Sequence, residues 1–188
     1  MASRSGRARD PDLIDALDAR TRTTFEGALW RVVREGRDPL EPSRAGGRWE
    51  LGSSDVLYTS MEPDCAIAEV EYHLSQQPVF PSRIRSVCHE LRVRASGVIR
   101  LETLSELVDL GVDAARYREP LYERTREIGD AAAFLGCDAL IVPSARWNCL
   151  NVVLFLESFE SDSIETVGNP KSIDWKAWRR EHASRRRH

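Results

Sequence analysis

Three polar side chains that could take part in binding or catalysis fall within the single stretch GGRWELGSSDVLYTSMEPDCAIAEVEYHL, residues 46–74. Arg48 follows two glycines, Tyr58 lies in a short apolar run, and Glu69 stands among alanine, isoleucine and valine. An arginine binds phosphate or carboxylate oxygens with its forked guanidinium. A tyrosine ring attracts a cation over its face, and a carboxylate opposes positive charge that grows during a reaction. Together these residue types suit the binding of a charged ligand.

The segment around Glu69 predicts a helix from about residue 62 to 75. On a helical wheel of about 100° per residue, Asp64, Glu71 and Ser75 fall within about 40° of each other, which predicts a solvent-facing stripe. Glu69 lies about 160° from Glu71, on the side that carries apolar residues. A carboxylate on that side loses water, and its burial is unfavourable unless a partner compensates for it.

Each candidate residue has two interpretations that the sequence leaves open. Glu69 is either a carboxylate on the wall of a pocket or one half of an internal salt bridge, for which Arg48 is an available partner. Tyr58 shares its strand face with Val56 and is either a site residue or a core aromatic. Ser144, in VPSAR, follows a buried strand and is either a site residue or a capping serine.

The elements that must position these residues mix strands and helices. Strands are predicted at ALWRVV (28–33), DVLYTS (55–60), IRSVCHELRV (84–93), DALIVPS (138–144) and NVVLFLE (151–157). Helices are predicted at residues 12–20, about 62–75, 101–110, 119–136 and 174–182. Because this order lacks regular βαβ alternation, the predicted fold class is α+β in one domain.

The composition is that of a soluble globular protein, with 188 residues, 41% of them hydrophobic and 30% charged. The sequence contains neither an apolar run of about 20 residues nor the apolar core of a signal peptide, so a cytoplasmic location is expected. The four cysteines form no CxxC pair and are expected to be reduced, buried thiols. The four histidines form no metal-binding motif, so no metal is expected.

The charge of the chain is close to balanced, with a net value of −3, and gives no overall signature of nucleic-acid binding. Both ends are nonetheless rich in arginine, in SRSGRARD near the start and WRREHASRRRH at the end. The alternative function from another class is therefore a non-catalytic module that contacts nucleic acid through these ends. The low net charge counts against it.

Several enzyme classes lack their motifs in this sequence, since there is no G-x-S-x-G, no Walker loop and no G-x-G-x-x-G. The remaining arginine, tyrosine, glutamate and serine suit a substrate that carries its own leaving group. NAD+ is such a molecule, because its cationic nicotinamide departs as a neutral ring. Arginine would hold the phosphates, tyrosine would stack on the pyridinium, and glutamate would stabilise an oxocarbenium-like ribose.

Residues 46–74, together with DALIVPSARWNCLNVVLF, resemble the RES domain, a family named after its arginine, glutamate and serine. The resemblance covers residues 30–157 and implies an α+β core like that of ADP-ribosylating toxins, with a mixed sheet, flanking helices and a central cleft. It divides the single domain into a basic leader and short helix (1–27), a catalytic core (28–160), and a C-terminal strand, helix and basic tail (161–188).

The resemblance also implies an activity and a set of site residues. Members of the family consume NAD+, either by hydrolysis or phosphorolysis or by transferring ADP-ribose to a protein. Matched by motif, the catalytic residues are Arg48, Tyr58, Glu69 and Ser144. Arg31 in LWRVV matches a further arginine, and Asn151 in NVVLF matches an asparagine that shapes the cleft. The NAD+-binding set is then Arg31, Arg48, Tyr58, Ser144 and Asn151.

The family further implies a toxin that causes growth arrest and pairs with an Xre-type helix-turn-helix antitoxin in a hetero-oligomer. A protein target is implied if ADP-ribose is transferred, whereas membrane and direct nucleic-acid contacts are not expected. The sequence departs from the family at Glu50 and Leu51, where asparagine and proline are frequent. The loop RWNCL, after the serine, is also bulkier than the usual glycine-bearing loop. These departures leave the acceptor open between protein, water and phosphate.

Overall fold

Strands and helices alternate irregularly along the chain, and every predicted element is present. The computed structural model describes residues 8–43, 46–159 and 163–183. Within these ranges the strands are β1 (Thr23–Arg34), β2 (Val56–Ser60), β3 (Ser86–Arg100), β4 (Ala139–Pro143), β5 (Leu150–Phe155) and β6 (Ile164–Ser172). The helices are α1 (Pro11–Asp18), α2 (Pro63–Ser75), α3 (Leu104–Asp109), α4 (Glu123–Phe134) and α5 (Trp175–Glu181). None of these helices has the length and apolar character that a bilayer crossing requires.

The six strands form one mixed sheet in the order β1-β2-β5-β4-β3-β6. β1 also pairs with β3, so that β1, β2, β5, β4 and β3 complete a closed circuit of strand pairings. Only β3 and β4 run parallel, whereas the other pairs are antiparallel. The predicted α+β class with a mixed sheet and flanking helices is therefore confirmed.

Alternate residues of the central strands pack into two separate hydrophobic clusters. Leu140 of β4 and Val153 of β5 face the helices α1, α3 and α4. Their neighbours Ile141 and Val152 face the other side, where they pack with residues of β1 and β3 such as Leu91. All four side chains of β4 and β5 named here are fully buried. Because both faces of β4 and β5 are closely packed, these strands hold the residues at their ends in fixed positions.

β3 is longer than the sequence pattern indicated, because the predicted strand at 84–93 continues to Arg100. The alternation of apolar and polar residues fails around Gly97. Near this point β3 stops pairing with β6 and begins to pair with β4. The Asp138 carboxylate accepts the backbone N–H groups of Ser96 and Gly97 at 2.7 and 2.9 Å. A side chain from a distant segment thus completes the strand, which the local pattern could not reveal.

The predicted solvent-facing stripe of α2 is wrong for Glu71. Its side chain is buried, with a residue exposure of 5%, and its carboxylate pairs with Arg179 at 3.0 Å. Arg179 belongs to α5, which packs over this side of α2. In the same contact, the indole N–H of Trp178 donates to Asp64 at 3.2 Å. The helical wheel failed here because α5 lies more than a hundred residues away in sequence.

The expectation of four reduced thiols is also wrong, because Cys65 and Cys149 form a disulfide bond. The bond joins the first turn of α2 to the loop between β4 and β5, across a sequence separation of 84 residues. Cys88 and Cys137 are buried and free, as expected. The pairing depends on how α2 packs beside the β4–β5 loop, and cysteine spacing in the sequence carries no information about that packing.

Replacement of Cys149 by serine should lower the free energy of unfolding by about 2–4 kcal/mol without reductant, because the unfolded chain is no longer cross-linked. Urea denaturation of the wild type and Cys149→Ser measures this difference, and a reducing agent should largely abolish it. Thiol titration of the unfolded, unreduced wild type is an independent check. Two free thiols are expected, and four would contradict the disulfide.

Candidate functional site

A cleft of about 420 Å³ lies between α2, the loop that follows β1, and the ends of β2, β4 and β5. Of the residues predicted from sequence, the structure places five on its wall: Arg31, Arg48, Tyr58, Glu69 and Asn151. The sixth, Ser144, donates its hydroxyl hydrogen bond to Glu69 at 2.6 Å. The fold therefore brings together residues that are up to 120 positions apart in the chain, from Arg31 to Asn151.

The Glu69 carboxylate is held by two donors that meet at one oxygen. Ser144 Oγ and Asn151 Nδ2 donate to Oε1 at 2.6 and 2.7 Å. Ser60 Oγ in turn donates to Asn151 Oδ1 at 2.7 Å, which fixes the orientation of the amide. The other oxygen, Oε2, accepts no hydrogen bond from the described part of the chain. Glu69 thus keeps one orientation and offers one oxygen to a ligand.

Strand register creates this arrangement. Asn151 in β5 is paired with Ser60 of β2 on one side and with Val142 of β4 on the other. Ser144 follows the last residue of β4, so it emerges next to the start of β5. A shift of one residue in either pairing would turn Asn151 to the opposite face of the sheet.

The hydroxyl of Ser144 is directed at Glu69 by its own backbone surroundings. Ser144 Oγ accepts the N–H groups of Arg146 and Trp147 at 3.0 and 3.1 Å. These two bonds use the acceptor capacity of the oxygen, so its single hydrogen is available for Glu69. Ser144 therefore caps the turn after β4 and contacts the site residue at the same time, which combines the two interpretations left open by the sequence.

Arg48 lies in an aromatic setting and has an unused donor. Its guanidinium carbon is 4.4 Å from the ring centre of Tyr122 and 4.8 Å from that of Tyr117. Nη2 donates weakly to the carbonyl of Glu119 at 3.4 Å, while Nη1 is buried and has no hydrogen-bond partner among the described residues. Arg48 forms no ion pair with Glu69 in the structure. A buried cationic donor without a partner is suited to an anionic ligand.

Tyr58 lines the cleft, and its hydroxyl oxygen is hydrogen-bonded to the protein backbone. The hydroxyl oxygen accepts the backbone N–H of Trp49 at 3.0 Å, which ties β2 to the loop that carries Arg48. Burial raises the pKa of Tyr58 above its ordinary value, so the phenol stays neutral. Its ring also packs against the core on the helix side of the sheet. Tyr58 therefore acts as an anchor for the loop and as part of the cleft wall.

Arg31 supports the cleft chiefly through contacts with backbone and loop. Its two terminal nitrogens donate to Ser43 Oγ at 3.2 Å, to the Tyr58 carbonyl at 3.3 Å and to the Glu41 carbonyl at 2.9 Å. Burial lowers the pKa of Arg31 to about 10, which still leaves it charged at neutral pH. Its buried Nε has no partner among the described residues. Arg31 therefore adds positive charge to the cleft while most of its donors are used.

Sequence reasoning missed several side chains that line the cleft, among them Tyr117, Tyr122 and Arg146. Tyr117 and Tyr122 come from the irregular segment before α4, and the hydroxyl of Tyr117 donates to the Pro143 carbonyl at 2.7 Å. Arg146 stacks on Tyr72, with its guanidinium carbon 3.3 Å from the ring centre. The tyrosines carry no periodic signal. Arg146, however, stands two positions after Ser144, and its place in VPSAR could have identified it.

Gly47→Ala should destabilise the chain by about 1–3 kcal/mol, because a Cβ at this position would overlap the ring hydroxyl of Tyr58. The matched control is Gly97→Ala in β3, where the nearest atom to a new Cβ would lie 3.4 Å away. That change should stay within about 0.5 kcal/mol of the wild type. Chemical denaturation measures both values. Equal stability of the two variants would show that the loop is not packed against Tyr58.

Comparison with known proteins gives a family match and similar solved structures, one of which is described here. The family model described as "RES domain" matches residues 28–177. A chain in the crystal structure of the M. tuberculosis MbcT–MbcA toxin–antitoxin complex superposes with a TM-score of 0.81 and 19% sequence identity, covering 94% of this chain and 100% of that one. A structural likeness at 19% sequence identity establishes that the two chains share a fold. A search of curated proteins gives no significant match.

Proposed function

This chain belongs to the RES domain family, and we propose that it is the toxin of a bacterial type II toxin–antitoxin pair that cleaves the nicotinamide–ribose bond of NAD+. The observation that carries the proposal is that two oppositely charged side chains line one cleft without pairing with each other. Glu69 has one oxygen without a partner among the described residues, and Arg48 has one buried nitrogen in the same condition. A ligand with an anionic part and a part that becomes cationic would complement both.

NAD+ has these two parts, and the bond cleavage balances without an added acid. The bond between ribose C1′ and the nicotinamide nitrogen breaks, and its electron pair stays on the ring, which leaves as neutral nicotinamide. Positive charge then develops on the ribose as an oxocarbenium-like centre. A nucleophile bonds to C1′ and releases its proton to solvent. The protein must therefore bind the ends of the molecule and stabilise the ribosyl cation.

Glu69 is the residue that we assign to the ribosyl cation. Its Oε2 would accept a hydrogen bond from a ribose hydroxyl and oppose the growing positive charge. Ser144 and Asn151, bonded to Oε1, would hold the carboxylate in the reactive orientation before substrate arrives. This orientation lowers the reorganisation needed in the transition state. Ser144 then contributes mainly by positioning Glu69, in addition to the substrate contact that the family resemblance implies.

Arg48 is the residue that we assign to the substrate phosphates. Its buried Nη1 can donate a charge-assisted hydrogen bond, and the rings of Tyr117 and Tyr122 limit where the guanidinium can move. Arg31 would add long-range positive charge from beneath the loop. The ring of Tyr58, on the cleft wall, would stack on the nicotinamide. Asn151 completes the binding set by fixing Glu69.

The toxin role is supported by family membership and by the fold that the chain shares with a component of a toxin–antitoxin complex. We propose an Xre-type antitoxin as the partner in a hetero-oligomer, with growth arrest following from NAD+ consumption in the cytoplasm. The alternative of a nucleic-acid-binding module depends on the arginine-rich ends, of which residues 1–7 and 184–188 lie outside the described residues. No contact among the described residues favours that alternative over the cleft.

Glu69→Gln should lower the rate of nicotinamide release on the order of 10²–10³-fold, because the amide keeps the shape and loses the negative charge. The change should leave the melting temperature close to that of the wild type. Nicotinamide can be quantified by chromatography under saturating NAD+. Glu62→Gln is the matched control, since it makes the same change at the exposed start of α2, outside the cleft. Undiminished release by Glu69→Gln would contradict the mechanism.

Incubation of the wild type with adenine-labelled NAD+ and bacterial lysate should convert the label, and the product identifies the acceptor. A labelled protein band indicates ADP-ribosyl transfer to a target. Free ADP-ribose indicates hydrolysis, and its 1-phosphate indicates phosphorolysis. Heat-inactivated enzyme is the control for lysate activities. Recovery of all label as NAD+ at high enzyme concentration would contradict the proposed activity.

A further inference from the structure

The backbone of the loop that carries Arg48 is hydrogen-bonded by two side chains of opposite charge. Arg126 of α4 donates from Nε to the carbonyl of Gly47 at 2.9 Å and from Nη2 to that of Gly46 at 2.6 Å. The buried carboxylate of Glu50 accepts the N–H groups of Gly46 and Gly47, the latter at 3.0 Å. Its second oxygen accepts the N–H of Gly52 at 2.7 Å. Both the N–H groups and the carbonyl groups of Gly46 and Gly47 are therefore hydrogen-bonded.

We infer that Arg126 and Glu50 form a clamp that positions Arg48 for the diphosphate of the substrate, and that Arg126 is a positioning residue of this site. The inference rests on the proposed function, because it assigns the free donor of Arg48 to phosphate. Neither clamp residue needs to touch the substrate. Each acts on it through the backbone of Gly46 and Gly47, which directly precedes Arg48.

The side chain of Arg48 depends on this backbone for its direction. Its guanidinium lies against the ring of Tyr122, and Arg126 approaches the same ring at 5.4 Å. Two glycines before Arg48 would otherwise leave the segment free to adopt many conformations, and ligand binding would have to restrict them. Because the clamp fixes the glycines in advance, Arg48 keeps its place on the cleft wall. The clamp thus reduces the entropic cost of phosphate binding.

Glu50 also decides which groups can bind the phosphate. Glycine-rich loops often bind anions through successive backbone N–H groups. Here the N–H groups of Gly46, Gly47 and Gly52 are occupied by the Glu50 carboxylate. The loop therefore cannot serve as a backbone phosphate cradle in this conformation. An anionic ligand would therefore be bound by the Arg48 side chain instead of by the loop backbone. The position of that side chain then determines how well phosphate binds.

Both carboxylate oxygens of Glu50 are used by the loop. Together they accept hydrogen bonds from three backbone N–H groups, which the single acceptor oxygen of an amide side chain could not do in the same way. The negative charge of Glu50 also faces the same backbone segment as the positive charge of Arg126. The two residues are thus complementary in this chain.

Binding of ADP, measured by calorimetry, tests the clamp with a probe that contains the diphosphate. Arg126→Ala should weaken ADP binding by about tenfold, which corresponds to about 1.4 kcal/mol, since Arg48 loses its fixed backbone. Arg126→Lys should retain part of the affinity, because one charged donor remains. In turnover of NAD+, the KM of both variants should rise by a larger factor than kcat falls. Glu50→Gln should weaken ADP binding in the same direction.

The matched control is Arg124→Ala, on the same helix. Arg124 also donates to a backbone carbonyl, that of Leu110 at 2.6 Å, and has no hydrogen bond to the loop. Its loss should leave the dissociation constant for ADP unchanged. Wild-type affinity in Arg126→Ala, or equal weakening in Arg124→Ala, would overturn the inference. If Arg126→Ala does not fold, wild-type ADP affinity and KM in Arg126→Lys would overturn it.

The same measurements separate this inference from the proposed function. If the wild type binds ADP and the Arg126 variants lose affinity, the clamp is supported even when no nicotinamide is released, and only the proposed reaction fails. If the wild type releases nicotinamide while Arg126→Ala keeps its ADP affinity and KM, the reaction stands and the clamp is overturned. Failure of the wild type to bind ADP would overturn the clamp.

Discussion

The carboxylate of Glu69 is the group on which the arrangement of the site depends. A negative charge on the wall of a cleft is unfavourable unless hydrogen bonds replace the lost water. Ser144 and Asn151 supply these bonds from the end of β4 and the start of β5. The two donors are adjacent only because β4 and β5 pair in this register, between β2 and β3. The closed strand circuit therefore supports the orientation of the Glu69 carboxylate.

Arg48, which also lines the cleft, is positioned in a different way from Glu69. Arg48 sits on a loop rather than on a strand, and its position is set by contacts to the loop backbone from Arg126 and Glu50. The structure keeps Arg48 apart from Glu69 instead of pairing them, although the pair would satisfy both charges. Leaving a buried cationic donor without a partner costs stability. Such a cost is typical of sites that receive their compensation from a ligand.

The sequence predicted those parts of the fold and site that depend on local patterns. Helix α2, with Pro63 in its first turn, follows from the sequence pattern, and Ser144 at the end of an apolar strand follows from its neighbours. What the sequence could not show depends on contacts between distant segments. Glu71 is buried because α5 covers it, and Cys65 meets Cys149 because α2 packs on the β4–β5 loop.

A crystal structure of the wild-type chain with ADP-ribose bound would show whether Arg48 and Glu69 bind one ligand. The diphosphate should accept a hydrogen bond from Arg48 Nη1, and a hydroxyl of the nicotinamide-side ribose should donate to Glu69 Oε2. Ser144 and Asn151 should keep their bonds to Oε1. ADP-ribose bound outside the cleft, or within it without contacts to Arg48 and Glu69, would contradict the proposed roles of both residues.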